Sequence, residues 1–350
     1  MLYYAIIDYD VLDDQITSDA PHYHSLMYII KAINQNMRII LDKNGKIKDH
    51  YKDSLMKMAN GKGNAPYISA LMTDILKAGS KSIVNISLSR GTIPETLSSL
   101  ADTWPADWAI VEKPSSRFTC TQIEASTFMT SPIDKCREEI AFNGLDVQAC
   151  DEKVVKEHIR RLVHKSENVT IIDKFFGSAS ENTPFKKGIE LIIDCWIESG
   201  ALQNPNPTIH IITSMGKDTG TPTSKPELDR VSEYRRAFID KFQRSVISDL
   251  RNKYDNRNIT LKIHFKLDDS KEKILHDRFI ISQNGAARLT RGIDFACRSG
   301  EFSFQSIKNE PCRMNHAQNC LALPDALEPI ELKFRQPLTK TKASGHRRFR

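Results

Sequence analysis

The chain has 350 residues, with 50 Lys and Arg against 44 Asp and Glu, a formal net charge of +6. That length is room for about two domains, each able to bury its own core. A composition of 40% apolar and 27% charged residues is ordinary for a globular protein and argues against general disorder. No apolar run approaches the ~18–20 residues that cross a bilayer, so no transmembrane segment is expected.

The opening MLYYAIIDYDVLDD turns acidic within eight residues and has no basic n-region, so a secretory signal is not expected. Seven cysteines, an odd number, do not suggest a disulfide framework and are read as thiols of a reducing cytoplasm. The charge is uneven. Residues 1–150 carry 15 basic and 18 acidic side chains, residues 151–332 carry 28 and 26, and the last 18 residues carry seven basic and none acidic.

In chain order, YYAIID predicts a buried strand that ends in an acidic turn. HSLMYIIKAINQN (24–36) has helical spacing, MRIILD (37–42) reads as a strand, and 48–58 and 67–78 read as helices. SIVNISLSR reads as either strand or helix, and GLDVQAC (144–150) as an edge strand. A second run begins near 151. VVKEHIRRLVHK is an amphipathic helix with Val155, His158, Ile159 and Leu162 on one side. VTIID is a strand, FKKGIELIIDCWIESGAL a helix, TIHIITS a strand and SMGKDTGTPTSKPE a polar loop. A long helix over 228–252 lines up Leu228, Val231, Tyr234, Phe238, Phe242, Val246 and Leu250. Its basic face is mixed with acids and reads as solvated. ITLKIHFKL alternates as a half-buried strand, and ILHDRFIIS and ARLTRGIDF read as strands around the turn QNG. Strands alternating with helices predict α/β architecture. The expected division is 1–150, 151–337 and a disordered basic tail, 338–350. The tail suits either a polyanion or simple solubilisation.

Cys297, Cys312, His316 and Cys320 are candidates for a zinc site. In a helix, Cys312 and Cys320 would lie ~12 Å apart and could not share one ion. In a loop they could, but the spacing fits no zinc motif, and the reading is against zinc.

On a strand, His276 and Arg278 would point one way and Asp277 the other. A neighbouring strand carries Arg291 and ends in Gly292-Ile293-Asp294. Such a trio suits phosphodiester chemistry: a guanidinium forks onto phosphate oxygens, an imidazole attacks phosphorus or protonates a leaving oxygen, and a carboxylate fixes its tautomer. The alternative is an ion network that closes a strand pair. From VTIIDKFFG to TRGIDF, roughly 151–310, the chain resembles one phospholipase D-like unit, closest to the branch with HDR and a later Gly-φ-Asp. That branch includes the C-terminal domain of some MIT-domain proteins. The resemblance implies a mixed sheet and a metal-free site. His276 would be the nucleophile or general acid, Arg278 and Arg291 the phosphate holders and Asp294 the residue that orients the histidine. One motif per chain implies a homodimer. Arg278 stands where the superfamily has lysine, and Gln283 where it has an acid.

IIDYDVL resembles the first strand of PIN-like nuclease domains. That resemblance implies a Rossmann-like parallel sheet with Mg or Mn held by Asp8, Asp10, Asp49 and Asp107. The alternative is an acidic strand end that caps the next helix. Together the two resemblances imply a cytoplasmic nuclease or phosphodiesterase acting on DNA or RNA. Such pairings resemble effectors of bacterial toxin–antitoxin or phage-defence systems, which often have a partner protein. The alternatives are a degenerate module that binds nucleic acid or protein, and a binder of anionic lipid.

Overall fold

The first strand, β1 (Tyr3–Ile7), is buried along its whole length. A strand covered on both faces has no polar side to alternate with, so its sequence is a continuous apolar run. The computed structural model describes residues 3–11, 25, 28–30, 32, 37–42, 44–59, 83–86, 91–103, 106–131, 145–146, 151–176, 183–214, 224–267, 274–289, 292–293, 301–305 and 310–334. The predicted helix at 67–78, most of the polar loop after TIHIITS and the tail 338–350 lie outside them.

The described strands form two sheets. In the first, β1 is flanked by β2 (Met37–Asp42) and β4 (Trp108–Val111), with β3 (Ile83–Ile86) and β5 (Thr121–Glu124) at the edges; every pairing is parallel. The order 3-2-1-4-5 reverses direction between β1 and β4. In open α/β sheets, the crevice beyond the carboxyl ends at such a reversal is where ligands bind. Helices α1 (Lys46–Ala59) and α2 (Ile93–Thr103) supply Ile47, Tyr51, Leu97 and Leu100 to this core. SIVNISLSR resolves as a strand at its start. The helix after β2 begins at Lys46, because the Asp42 carboxylate accepts the N–H groups of Lys46 (3.0 Å) and Ile47 (2.8 Å) and caps it.

The second sheet runs β13-β9-β8-β7-β10-β11-β12-β6. Its centre is a parallel trio, β7 (Asn168–Ile172), β8 (Thr208–Thr213) and β9 (Ile259–Phe265). β10 (Phe279–Ser282) joins β7 antiparallel and turns through Gln283-Asn284 into β11 (Gly285–Leu289). β12 (Glu301–Gln305) and β13 (Ile330–Phe334) complete it with β6 (Leu145–Asp146). β6, predicted as an edge strand, is one, but it belongs to this second sheet.

Helices α3 (Glu152–Val163) and α4 (Thr183–Glu198) cover one face. The long helix runs as α5 (Lys225–Phe242), a π-helical turn (Gln243–Ile247) and α6 (Ser248–Tyr254). Of its predicted stripe, Val231, Phe242, Val246 and Leu250 are buried, but Leu228 is 49% exposed. α7 (Glu310–Ala322), which no sequence signal announced, packs Ala317 and Cys320 on the opposite face. Cys312, His316 and Cys320 therefore lie on one helix, and the ~12 Å rise between the two cysteines excludes one shared ion. Cys297 lies outside the described residues.

The two sheets meet at α3. The Tyr4 hydroxyl donates to the Arg161 carbonyl (2.9 Å), and the Arg161 guanidinium pairs with Asp107. Among the described residues, no helix is long and apolar enough to cross a membrane.

Candidate functional site

Because β10 runs antiparallel to β7, its approach lies beside the carboxyl end of β7. Asp173 and Lys174, which follow β7, therefore face His276, Asp277 and Arg278. These last three are not on a strand as the sequence predicted. Ile274–His276 is a 3-10 turn, and pairing starts only at Phe279. The turn buries Leu275 and leaves His276 exposed.

Asp173 is fully buried and anchors the cluster. Its Oδ1 accepts the N–H of Phe175 (2.8 Å) and its Oδ2 the N–H of Ile293 (2.7 Å). These two bonds fix the chain on both sides of the cluster. Gly292, at φ +102°, lies so close that a Cβ there would sit 2.3 Å from Asp173 Oδ2.

Lys174 Nζ lies 3.4 Å from His276 Nε2. The Arg278 guanidinium carbon stands 4.8 Å from the centre of the Phe175 ring, a cation–π contact that orients it. Asp277, the nearest described acid in sequence, turns towards Arg288 (3.5 Å). The structure thus brings His276 and Arg278 together with Lys174. Arg291 and Asp294 lie outside the described residues.

The four acids of the first unit are dispersed. Asp8 is 2% exposed at the carboxyl end of β1. Both its oxygens face Arg117 Nη1, at 2.5 and 2.6 Å, and Oδ1 also accepts the N–H of Tyr9 (2.9 Å). Arg117 is held over the Tyr9 ring at 5.0 Å. Burial pushes the Asp8 carboxyl above its ordinary range; the Tyr9 N–H and Arg117 oppose that shift, while Asp10 adds to it. Asp10 keeps a buried Oδ1 with no hydrogen-bond partner. Asp49 is exposed on α1, 4.0 Å from Lys52. Asp107 stands at the wrong end of the sheet. β4 pairs Trp108 with Ala5, so Asp107 lies beside Tyr4, accepts its N–H (2.8 Å) and pairs with Arg161. At ~3.3 Å per residue, that places it ~13 Å along the strand from Asp8.

Mg or Mn needs several carboxylate oxygens turned to one point. Here a guanidinium covers Asp8, Asp107 is on the opposite edge and Asp49 faces a lysine, so the predicted set does not fit the ion. Among the described residues, no group of three or more His, Cys, Asp or Glu converges as metal ligands.

The chain matches no family model, no curated protein and no solved structure. The reading of the site therefore rests on its geometry.

Sequence reasoning missed Asp173, Lys174 and Arg117. The first two had a signal: an acid and a base directly after a buried run, VTIID-K, at the end where parallel strands present ligand groups. Arg117 had none, being one cation in a polar loop.

Proposed function

We propose that the protein is a phosphodiesterase acting on nucleic acid, with its site at His276 in a phospholipase D-like second unit. The observation that carries this is the 3.4 Å approach of Lys174 Nζ to His276 Nε2, with Arg278 set over the ring of Phe175, the residue after Lys174. An ammonium beside an imidazole at a strand end, with a guanidinium two residues on, offers donors suited to the oxygens of a phosphodiester.

In this reading, the lone pair of His276 Nε2 forms a bond to phosphorus, and the ester P–O bond breaks with its electron pair on the leaving oxygen. That oxygen takes a proton from His276 of a second copy. Water then bonds to phosphorus and gives a proton to that second imidazole. The P–N bond breaks, and its pair returns to Nε2. Arg278 holds non-bridging oxygens. The first unit is read as PIN-like in scaffold and non-catalytic, because Arg117 covers Asp8. The basic tail adds affinity without adding chemistry.

The test is cleavage of labelled single-stranded RNA, single-stranded DNA and duplex DNA by the full chain, with and without EDTA. The expected result is cleavage of at least one substrate that survives chelation and falls about 10²-fold or more in His276→Ala. Cleavage lost to EDTA, or unchanged in His276→Ala, overturns the proposal. Nucleic-acid binding without cleavage points to a degenerate module. Binding only to anionic vesicles points to a lipid surface.

A further inference from the structure

We infer that Lys174 is a phosphate-binding residue of this site, which carries the substrate anion to His276 Nε2; the inference rests on the phosphodiesterase reading above. The backbone at Lys174 is held unusually firmly for a residue just past a strand. Its carbonyl accepts the hydroxyl of Ser214 (2.9 Å), the hydroxyl of Thr213 (3.3 Å) and the N–H of Ser214 (3.3 Å). On the other side, Asp173 fixes the N–H of Phe175. The side chain therefore leaves a fixed point at the carboxyl ends of β7 and β8, and its ammonium arrives 3.4 Å from His276 Nε2.

An ammonium has three donors and no acceptor, so in this contact Nε2 must accept. The contact thus selects the tautomer whose lone pair is on Nε2, the atom that would attack. It also marks where the phosphate goes. A phosphorus at a near-attack distance of ~3–3.5 Å from Nε2 puts a non-bridging oxygen within charge-assisted reach, ~2.8 Å, of Nζ. The flexible lysine stem lets the ammonium move from the nitrogen to that oxygen as the anion enters. Lys174 donates hydrogen bonds throughout and transfers no proton, so the bond changes stay as written above.

The experiment uses the full chain as wild type, Lys174→Ala, Lys174→Arg and His276→Ala, with thermal melts to verify folding. Tungstate, a phosphate mimic, is the calorimetric probe, and bis(p-nitrophenyl) phosphate is the turnover substrate. Lys174→Ala should weaken tungstate about tenfold and lower kcat/KM by ten- to a hundredfold, mostly through KM. Lys174→Arg should restore most of both. His276→Ala should abolish turnover and keep tungstate binding. If Lys174→Ala binds and turns over like wild type while His276→Ala is inactive, Lys174 has no such role and the parent reading stands. If His276→Ala turns over like wild type, the parent reading fails. If wild type neither binds tungstate nor turns over, both fail.

Discussion

Asp173 and Ile293 are 120 residues apart, yet the carboxylate of one accepts the backbone N–H of the other at 2.7 Å. This bond places Gly292 against the end of β7, where a Cβ would meet both the Asp173 carboxylate and the Arg278 side chain. Asp173→Ala leaves the N–H groups of Phe175 and Ile293 without their acceptor. Hydrogen bonds to a buried carboxylate contribute ~1.5–3 kcal/mol each, so the loss should be about 3 kcal/mol, read as a lower urea midpoint at constant slope.

Two glycines should be intolerant for a related reason. At Gly188 on α4, an added Cβ would lie 1.6 Å from the Ile293 carbonyl oxygen, which means that helix and segment touch backbone to backbone. Gly188→Ala forces them apart and should cost at least ~3 kcal/mol. Gly292→Ala meets both a positive φ and the Asp173 oxygen, and should cost about 2 kcal/mol or more. Urea unfolding of both variants, with tungstate affinity, separates loss of fold from loss of site.

The Asp107–Arg161 pair joins the first sheet to α3, with 13% and 21% of the two side chains exposed. A double-mutant cycle with Asp107→Asn and Arg161→Met should give a coupling of about 1–3 kcal/mol in urea unfolding. A coupling below about 0.3 kcal/mol would mean that the two sheets unfold independently across this contact.

The pH dependence follows from two imidazoles. His264 is pushed down to about 4, by burial first and then by His210 and Lys266; its ring stacks on His210 at 5.5 Å. His164 is pushed down to about 4, by burial and then by Lys165. Between the ordinary value of 6.5 and about 4, the unfolded chain binds protons that the folded chain refuses. Stability should therefore be complete above pH 6.5 and fall as pH drops through that window. Urea midpoints at pH 7 and pH 5 should diverge for the wild type, and the gap should narrow in His164→Gln/His264→Gln, the remainder coming from His158 and His210, which burial also pushes down.

The fold was legible where burial leaves a mark on composition. YYAII is apolar throughout because neighbours cover both its faces, TIHIIT alternates at its start before a buried end, and ITLKIHF alternates because one of its faces stays half-exposed. The start of β10 was not legible. ILHDRFIIS reads as one apolar run with polar interruptions, yet the 3-10 turn at 274–276 uses Leu275 to re-enter the core and frees His276. For the site, local sequence could nominate His276 and Arg278. It could not choose among acids, because Asp8 and Asp107 look alike until the register of β1 on β4 sends them to opposite edges. Lys174 shows the same limit: its partner stands 102 residues away, and only strand order brings them together.

The parts of the basic cluster come from three separate stretches: 173–174, 276–278 and 292–293. A chain growing from its N-terminus has the first stretch early and gains the second when β10 pairs with β7, but 292–293 is not anchored until Ile293 has been made and can reach Asp173. A chain that ends before Ile293 therefore leaves the buried Asp173 carboxylate without one of its two backbone donors, and the end of β7 is fixed only once the second sheet's last segments have been made.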